Sequence, residues 1–102
     1  MKTDQLYGKT IEAYGAAAQK DMAVEECSEL VNALCKERRR RASMNDVITE
    51  IADVTIMAGQ LALMYGKEAV EQEIKRKQER LLSRLYEAEA VSREEMLEIL
   101  EQ

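Results

Sequence analysis

Four carboxylates have the type and spacing to do chemistry together: Glu26 and Glu29, then Glu50 and Asp53. Each pair is separated by three residues, which on a helix puts both side chains on one face. A gap of 20 residues lies between Glu29 and Glu50. If the chain reverses within that gap, the two pairs meet. Four converging carboxylates repel one another, and Mg²⁺ or Mn²⁺, which prefer oxygen ligands, turns that repulsion into attraction. Mg²⁺ usually keeps part of its water shell, is completed by substrate phosphates, and activates a water as nucleophile. The chain has no histidine, which removes Ser-His and Cys-His catalysis and most zinc sites. Any chemistry falls to carboxylates, Lys and Arg, Tyr or a metal.

A single Glu-x-x-Glu is more often a solvated helix face, and Glu25 and Glu29 also read as surface acids. The second pair resists that reading. Met44–Tyr65 carries only three charged residues, Asp46, Glu50 and Asp53, all acidic. At about 100° per residue they fall within an arc of roughly 60°. The rest of that stretch is apolar almost all round, the mark of a buried helix. Unpaired carboxylates there are costly unless something cationic sits against them.

The elements that would position these groups are all helical. Abundant Ala, Leu, Glu, Lys and Arg, with no Pro and four Gly, favour helix nearly everywhere. A first helix spans Thr3–Tyr14, with Leu6, Ile11 and Tyr14 as its apolar positions and Gly15 as its stop. A second runs from about Ala17 to Arg39 on an apolar stripe of Met22, Ala23, Cys27, Leu30, Val31 and Leu34. Arg38–Arg41 favour the negative end of its dipole. Ser43 opens the third helix, with Asp46 as capping partner, and Gly66 closes it. A fourth, about Lys67–Ala88, turns Val70, Ile74, Leu81 and Leu85 inward. A short fifth starts at Ser92 with Glu95 as partner, carrying Met96, Ile99 and Leu100. Short connections predict an all-α, antiparallel bundle of four to five helices in one domain, residues 1–102. A chain of 102 residues can hardly cover every side of its third helix, so it is expected to form homo-oligomers.

A net charge of −5 argues against a general nucleic-acid partner. Cys27 and Cys35 lie about 12 Å apart along one helix, too far for a mutual disulfide, and free thiols fit a reducing cytoplasm. No signal-peptide pattern opens the chain, and the charge-free run Val54–Gly66 is too short to span a bilayer. The expectation is a soluble, cytoplasmic protein with no membrane partner.

In Glu25-Glu26-Cys27-Ser28-Glu29-Leu30 and Glu50-Ile51-Ala52-Asp53-Val54 the chain resembles the MazG-like, all-α nucleoside triphosphate pyrophosphohydrolases. Gln19-Lys20-Asp21-Met22-Ala23 is similar to that family's lead-in. Lys77-Gln78-Glu79-Arg80-Leu81-Leu82-Ser83-Arg84-Leu85 is similar to the basic fourth-helix segment of its small, phage-type members. The resemblance covers about residues 5–86. It implies Mg²⁺ held by Glu26, Glu29, Glu50 and Asp53, and water attack between the α and β phosphates of a nucleoside triphosphate. The products would be nucleoside monophosphate and pyrophosphate. It also implies dimers or tetramers with sites at the subunit interface.

Lys77 shares the helical stripe of Val70, Ile74 and Leu81, an odd place for an ammonium unless it reaches an anion. Lys77, Arg80 and Arg84 are therefore candidates to bind triphosphate oxygens, against the alternative that long stems cover apolar surface. Arg38–Arg41 read as dipole partners on a solvated turn ahead of phosphate ligands, and Tyr14 and Tyr65 as core ahead of rings that stack on a base. Phosphoribosyl-ATP pyrophosphohydrolase is the enzymatic alternative. Its family usually has a His shortly after the second acidic pair, where this chain has Met57–Gln60. A non-catalytic helical interaction protein is the other.

Overall fold

The computed structural model describes Met1–Gln102 as five helices and no strand. They are α1 (Thr3–Tyr14), α2 (Ala16–Arg38), α3 (Met44–Tyr65), α4 (Lys67–Glu87) and α5 (Arg93–Leu100). The all-α expectation holds, with boundaries within about two residues of those set by the punctuation of the sequence. The chain divides into two compact units, Met1–Gly66 and Lys67–Gln102.

The helix ends follow local chemistry. Ser43 Oγ accepts from the Asp46 amide at 3.2 Å, and Asp46 Oδ2 accepts from the Ser43 amide at 2.8 Å. Ser92 and Glu95 repeat the pattern at 3.0 and 3.1 Å. Each reciprocal pair satisfies two amides at a helix start. Gly15 and Gly66 stop the preceding helices at φ 91° and 117°, values that L side chains rarely adopt.

In the first unit α2 and α3 pack as an antiparallel hairpin, with α1 against both. Arg40 sits at φ 60°, and the Arg41 amide returns to the Lys36 carbonyl at 2.8 Å, a Schellman-type closure of α2 without glycine. The hairpin core is narrow: Gln19, Ala23 and Ala33 of α2 against Val47, Met57 and Gln60 of α3. The buried face of α2 therefore differs from the expected stripe. Ala23 is buried and Leu30 half-buried, but Met22, Cys27, Val31 and Leu34 are exposed, because α3 seats on the small side chains where the helices approach closely.

The third helix is likewise not buried all round: Ile48, Ile51 and Ile56 are exposed, since α2 and α1 cover only part of its circumference. On α1 Leu6 is exposed while Tyr7 and Ile11 are half-buried. Tyr7 stands over Gly59, where a Cβ would collide with its ring. Tyr14 and Tyr65 are not core residues; both are exposed, and the Tyr65 ring carries Lys20 Nζ 4.8 Å from its centroid. By length and composition α3 could also cross a bilayer, with mean hydropathy 1.5, a property that its charge-free portion alone does not reveal. Core helices of soluble proteins share it, and Glu50 and Asp53 at its middle are compatible with a soluble protein.

In the second unit α4 packs on α5. The buried residue is Leu82, while Ile74, Leu81 and Leu85 are exposed. The inward face is thus rotated by about one residue, 100°, from the expected stripe, because α5 seats against the side of α4 that carries Leu82.

Candidate metal centre

The α2/α3 hairpin brings the two acidic pairs together. One carboxylate oxygen each from Glu26, Glu29 and Glu50 lie within 4.8 Å of one another. Glu26 and Glu50 are half-buried and Glu29 is exposed. Asp53, one turn beyond Glu50, is half-buried and close enough for its charge to act on both Glu26 and Glu50. It stands beside the three-carboxylate group rather than within it.

The electrostatics follow from that crowding. Loss of surrounding water, then the charges of Glu29, Asp53 and Glu50, raise the Glu26 carboxyl to about 6. Glu50 is pushed upward by the same desolvation and by Glu29 and Asp53. Each effect disfavours the charged form. Glu26 Oε2 and Glu50 Oε2 are buried atoms with no hydrogen-bond partner. Both lie near Glu29, but one carboxylate donates to another only when a proton sits between them. In the fully ionised state these oxygens are left to repel.

That is the condition a hard divalent cation relieves. The donors are all carboxylate oxygens, two of them otherwise unsatisfied, and a fourth carboxylate stands next to them. This donor set fits Mg²⁺ or Mn²⁺ and does not fit a metal that prefers sulfur or imidazole.

The group opens onto a polar cleft toward the hairpin turn. Glu29, Asn32, Ala33 and Lys36 of α2, Arg41 and Ala42 of the turn, and Asp46, Thr49 and Glu50 of α3 line about 380 Å³. Asp46 is held below the usual carboxylate range, first by its hydrogen bonds with Ser43 and also by the Lys36 charge. Lys36 and Arg41 thus bring positive charge beside the carboxylates. From the sequence Arg41 is expected as a dipole partner ahead of a phosphate ligand, and Lys36 is not singled out; their place depends on where the turn folds back.

Lys77, Arg80 and Arg84 all lie on α4 and are exposed. Lys77 does not lie on an inward stripe: its neighbours Ile74 and Leu81 are themselves exposed, and only Val70 is half-buried. Gln19 and Gln60, not expected from the sequence to pair, have buried side chains that hydrogen-bond across the hairpin at 2.7 Å. Polar residues at core spacing on two neighbouring helices were the available signal.

No protein-family model, curated protein or solved structure matches the chain.

Proposed function

We propose that the protein is a Mg²⁺-dependent nucleoside triphosphate pyrophosphohydrolase, cleaving between the α and β phosphates to give nucleoside monophosphate and pyrophosphate. The observation that carries this reading is the convergence of Glu26, Glu29 and Glu50 within 4.8 Å, with buried, unpartnered oxygens on two of them. The choice of reaction rests on the resemblance of the two acidic pairs to the MazG-like family.

Glu26, Glu29, Glu50 and Asp53 would hold Mg²⁺, with Mn²⁺ as a substitute. When bound, the cation supplies charge neutralisation at the phosphates and a more acidic water. The chain's own groups do the rest. The half-buried carboxylates fix where the phosphates can approach. A carboxylate oxygen of this group left free by the cation would accept a proton from the attacking water. Lys36 and Arg41, in the adjoining cleft, offer charge to phosphate oxygens. Lys77, Arg80 and Arg84, on the α4 segment similar to the family's basic fourth helix, are further candidates for phosphate oxygens, supported by their exposure.

The proposal includes a homo-oligomeric helical bundle, a dimer or tetramer, supported by the thin core of the single chain and its many exposed apolar side chains. It includes a cytoplasmic location, supported by two free, exposed thiols, Cys27 and Cys35. The exposed apolar surface also favours a second reading, a helical interaction module without catalysis.

The deciding experiment is product analysis on a panel of canonical and modified nucleoside triphosphates, with Mg²⁺ and with chelator. Release of monophosphate and pyrophosphate, abolished by chelator, is the expected result. Release of single phosphates would replace the proposed cleavage position. No turnover together with no metal binding would leave the interaction module.

A further inference from the structure

The carboxylate group has two unlike neighbours along the hairpin seam. Toward the turn lies the open cleft, which starts at Glu29 and Glu50 and reaches Lys36 and Arg41. Away from the turn the seam is packed shut: Ala23 and Met57 are buried, and beyond them Gln19 and Gln60 hydrogen-bond to each other. That packed stretch carries no cation. A chain of phosphates leaving the carboxylate group along the seam therefore meets space and positive charge in one direction, and neither in the other.

The turn fixes where these two cations stand and leaves their charge unpaired. Lys36 follows Glu29 by seven residues, which puts it on the same face of α2, about two turns or 10 Å further along. The Arg41 amide is bound to the Lys36 carbonyl at 2.8 Å, so both residues belong to one closed turn. Neither side chain is in an ion pair. Asp46, the acid at this end of the cleft, feels the Lys36 charge, but its Oδ2 accepts from the Ser43 amide at 2.8 Å. On the facing wall Thr49 Oγ1 donates to the Asn45 carbonyl at 3.0 Å. The donors left to face an anion in the cleft are Lys36, Arg41 and the Asn32 amide.

We propose that the cleft is the subsite of the leaving pyrophosphate. The α-phosphate lies at the carboxylate group, the β- and γ-phosphates run toward the turn against Lys36 and Arg41, and the nucleoside points away from the turn. In the reaction the water oxygen bonds to the α-phosphorus, and a carboxylate oxygen of the group takes the water's proton. The bond from that phosphorus to the bridging oxygen breaks, and its electron pair leaves with the pyrophosphate. Negative charge thus grows on the group that faces Lys36 and Arg41, where fixed cations lower the barrier. A nucleoside diphosphate offers these cations one phosphate fewer, so the two residues select for triphosphates. This deepens the proposed function and rests on it.

The test uses the full chain and its Lys36→Gln and Arg41→Gln variants, both at exposed positions. Calorimetry in excess Mg²⁺ measures the binding of inorganic pyrophosphate and, separately, of a nucleoside monophosphate. Each variant is expected to bind pyrophosphate about tenfold more weakly or worse, while its affinities for the monophosphate and for Mn²⁺ stay those of the wild type. In turnover, the wild type's preference for triphosphate over diphosphate should shrink in both variants. Equal weakening of pyrophosphate and monophosphate would overturn the assigned direction, and weakening of the monophosphate alone would reverse it. Turnover with pyrophosphate affinity unchanged in both variants would overturn the subsite and leave the pyrophosphohydrolase standing. Selective loss of pyrophosphate binding without any turnover would keep the subsite and remove the reaction. A wild type that binds no pyrophosphate and turns nothing over would overturn both.

Discussion

Gln19 Nε2 donates to Gln60 Oε1 at 2.7 Å, seven residues before Glu26 on α2 and seven after Asp53 on α3. The amide pair and the carboxylates therefore occupy the same seam, about two helical turns, or 10 Å, apart. Between them the hairpin offers small or flexible side chains, Ala23 and Met57, which tolerate sliding. The amide pair does not, because a shifted register leaves buried donors and acceptors unpaired.

Replacing one amide should accordingly cost more than replacing both. Gln19→Leu leaves the Gln60 oxygen without its donor and should destabilise by about 1–3 kcal/mol. The Gln19→Leu/Gln60→Leu pair should recover much of that loss. Denaturant titration of the four proteins in the cycle measures the coupling. Strictly additive losses would mean the hydrogen bond does not set the seam.

Glu50→Gln should lower affinity for Mg²⁺ or Mn²⁺ by about tenfold or more, since it removes a ligand charge whose oxygen has no other partner. Calorimetry with Mg²⁺, or paramagnetic resonance with Mn²⁺, measures this without any substrate. Glu94→Gln, at an exposed position on α5, is the control and should bind as the wild type does. Equal affinities in all three proteins would remove the metal centre.

The carboxylate group should make stability fall as pH rises. Glu26 titrates at about 6 in the folded chain, above its ordinary 4.5. Between those values the folded protein holds a proton that the unfolded chain has released, so folding weakens across that window and then levels. In chelator, the melting temperature should decline from pH 4.5 to just above 6. Glu26→Gln, a permanent mimic of the protonated side chain, should flatten the curve and melt higher at pH 7. Added Mg²⁺ should raise the wild type and leave that variant little changed.

Gly59→Ala should destabilise the first unit by about 1–3 kcal/mol through overpacking, because the new methyl group meets the Tyr7 ring. With Tyr7→Ala already in place the same substitution should cost less, a nearest-neighbour coupling that thermal melts of the double-mutant cycle reveal. An unchanged cost would place the strain elsewhere.

Local signals were strong in this sequence. Ser43 with Asp46 and Ser92 with Glu95 announced helix starts, Gly15 and Gly66 announced stops, and the acidic pairs were legible because three-residue spacing on a hairpin leaves them few other places to go. The covered faces were not legible. On α2 the stripe through Val31 and Leu34 looks like core by hydrophobicity, yet the helices meet over Gln19, Ala23 and Ala33. On α4, Leu81 and Leu82 are equally apolar, and only the position of α5 decides which is buried. Periodicity reports that a face is apolar; which neighbour reaches it is a matter of tertiary geometry. Tyr7 escaped notice for the same reason, since its partner is a glycine with no side chain to suggest a contact.

The tight turn after α2, closed by the Arg41 amide on the Lys36 carbonyl, also shapes how the chain reaches this state. Helices joined by so few residues pay little loop-closure entropy, and pairings close in sequence tend to form fast. Zipping from the turn outward brings Glu29 to Glu50 before Gln19 meets Gln60. Along that route refolding meets its electrostatic hill early, and the proposed divalent ion, if bound there, would speed folding as well as favour the folded chain.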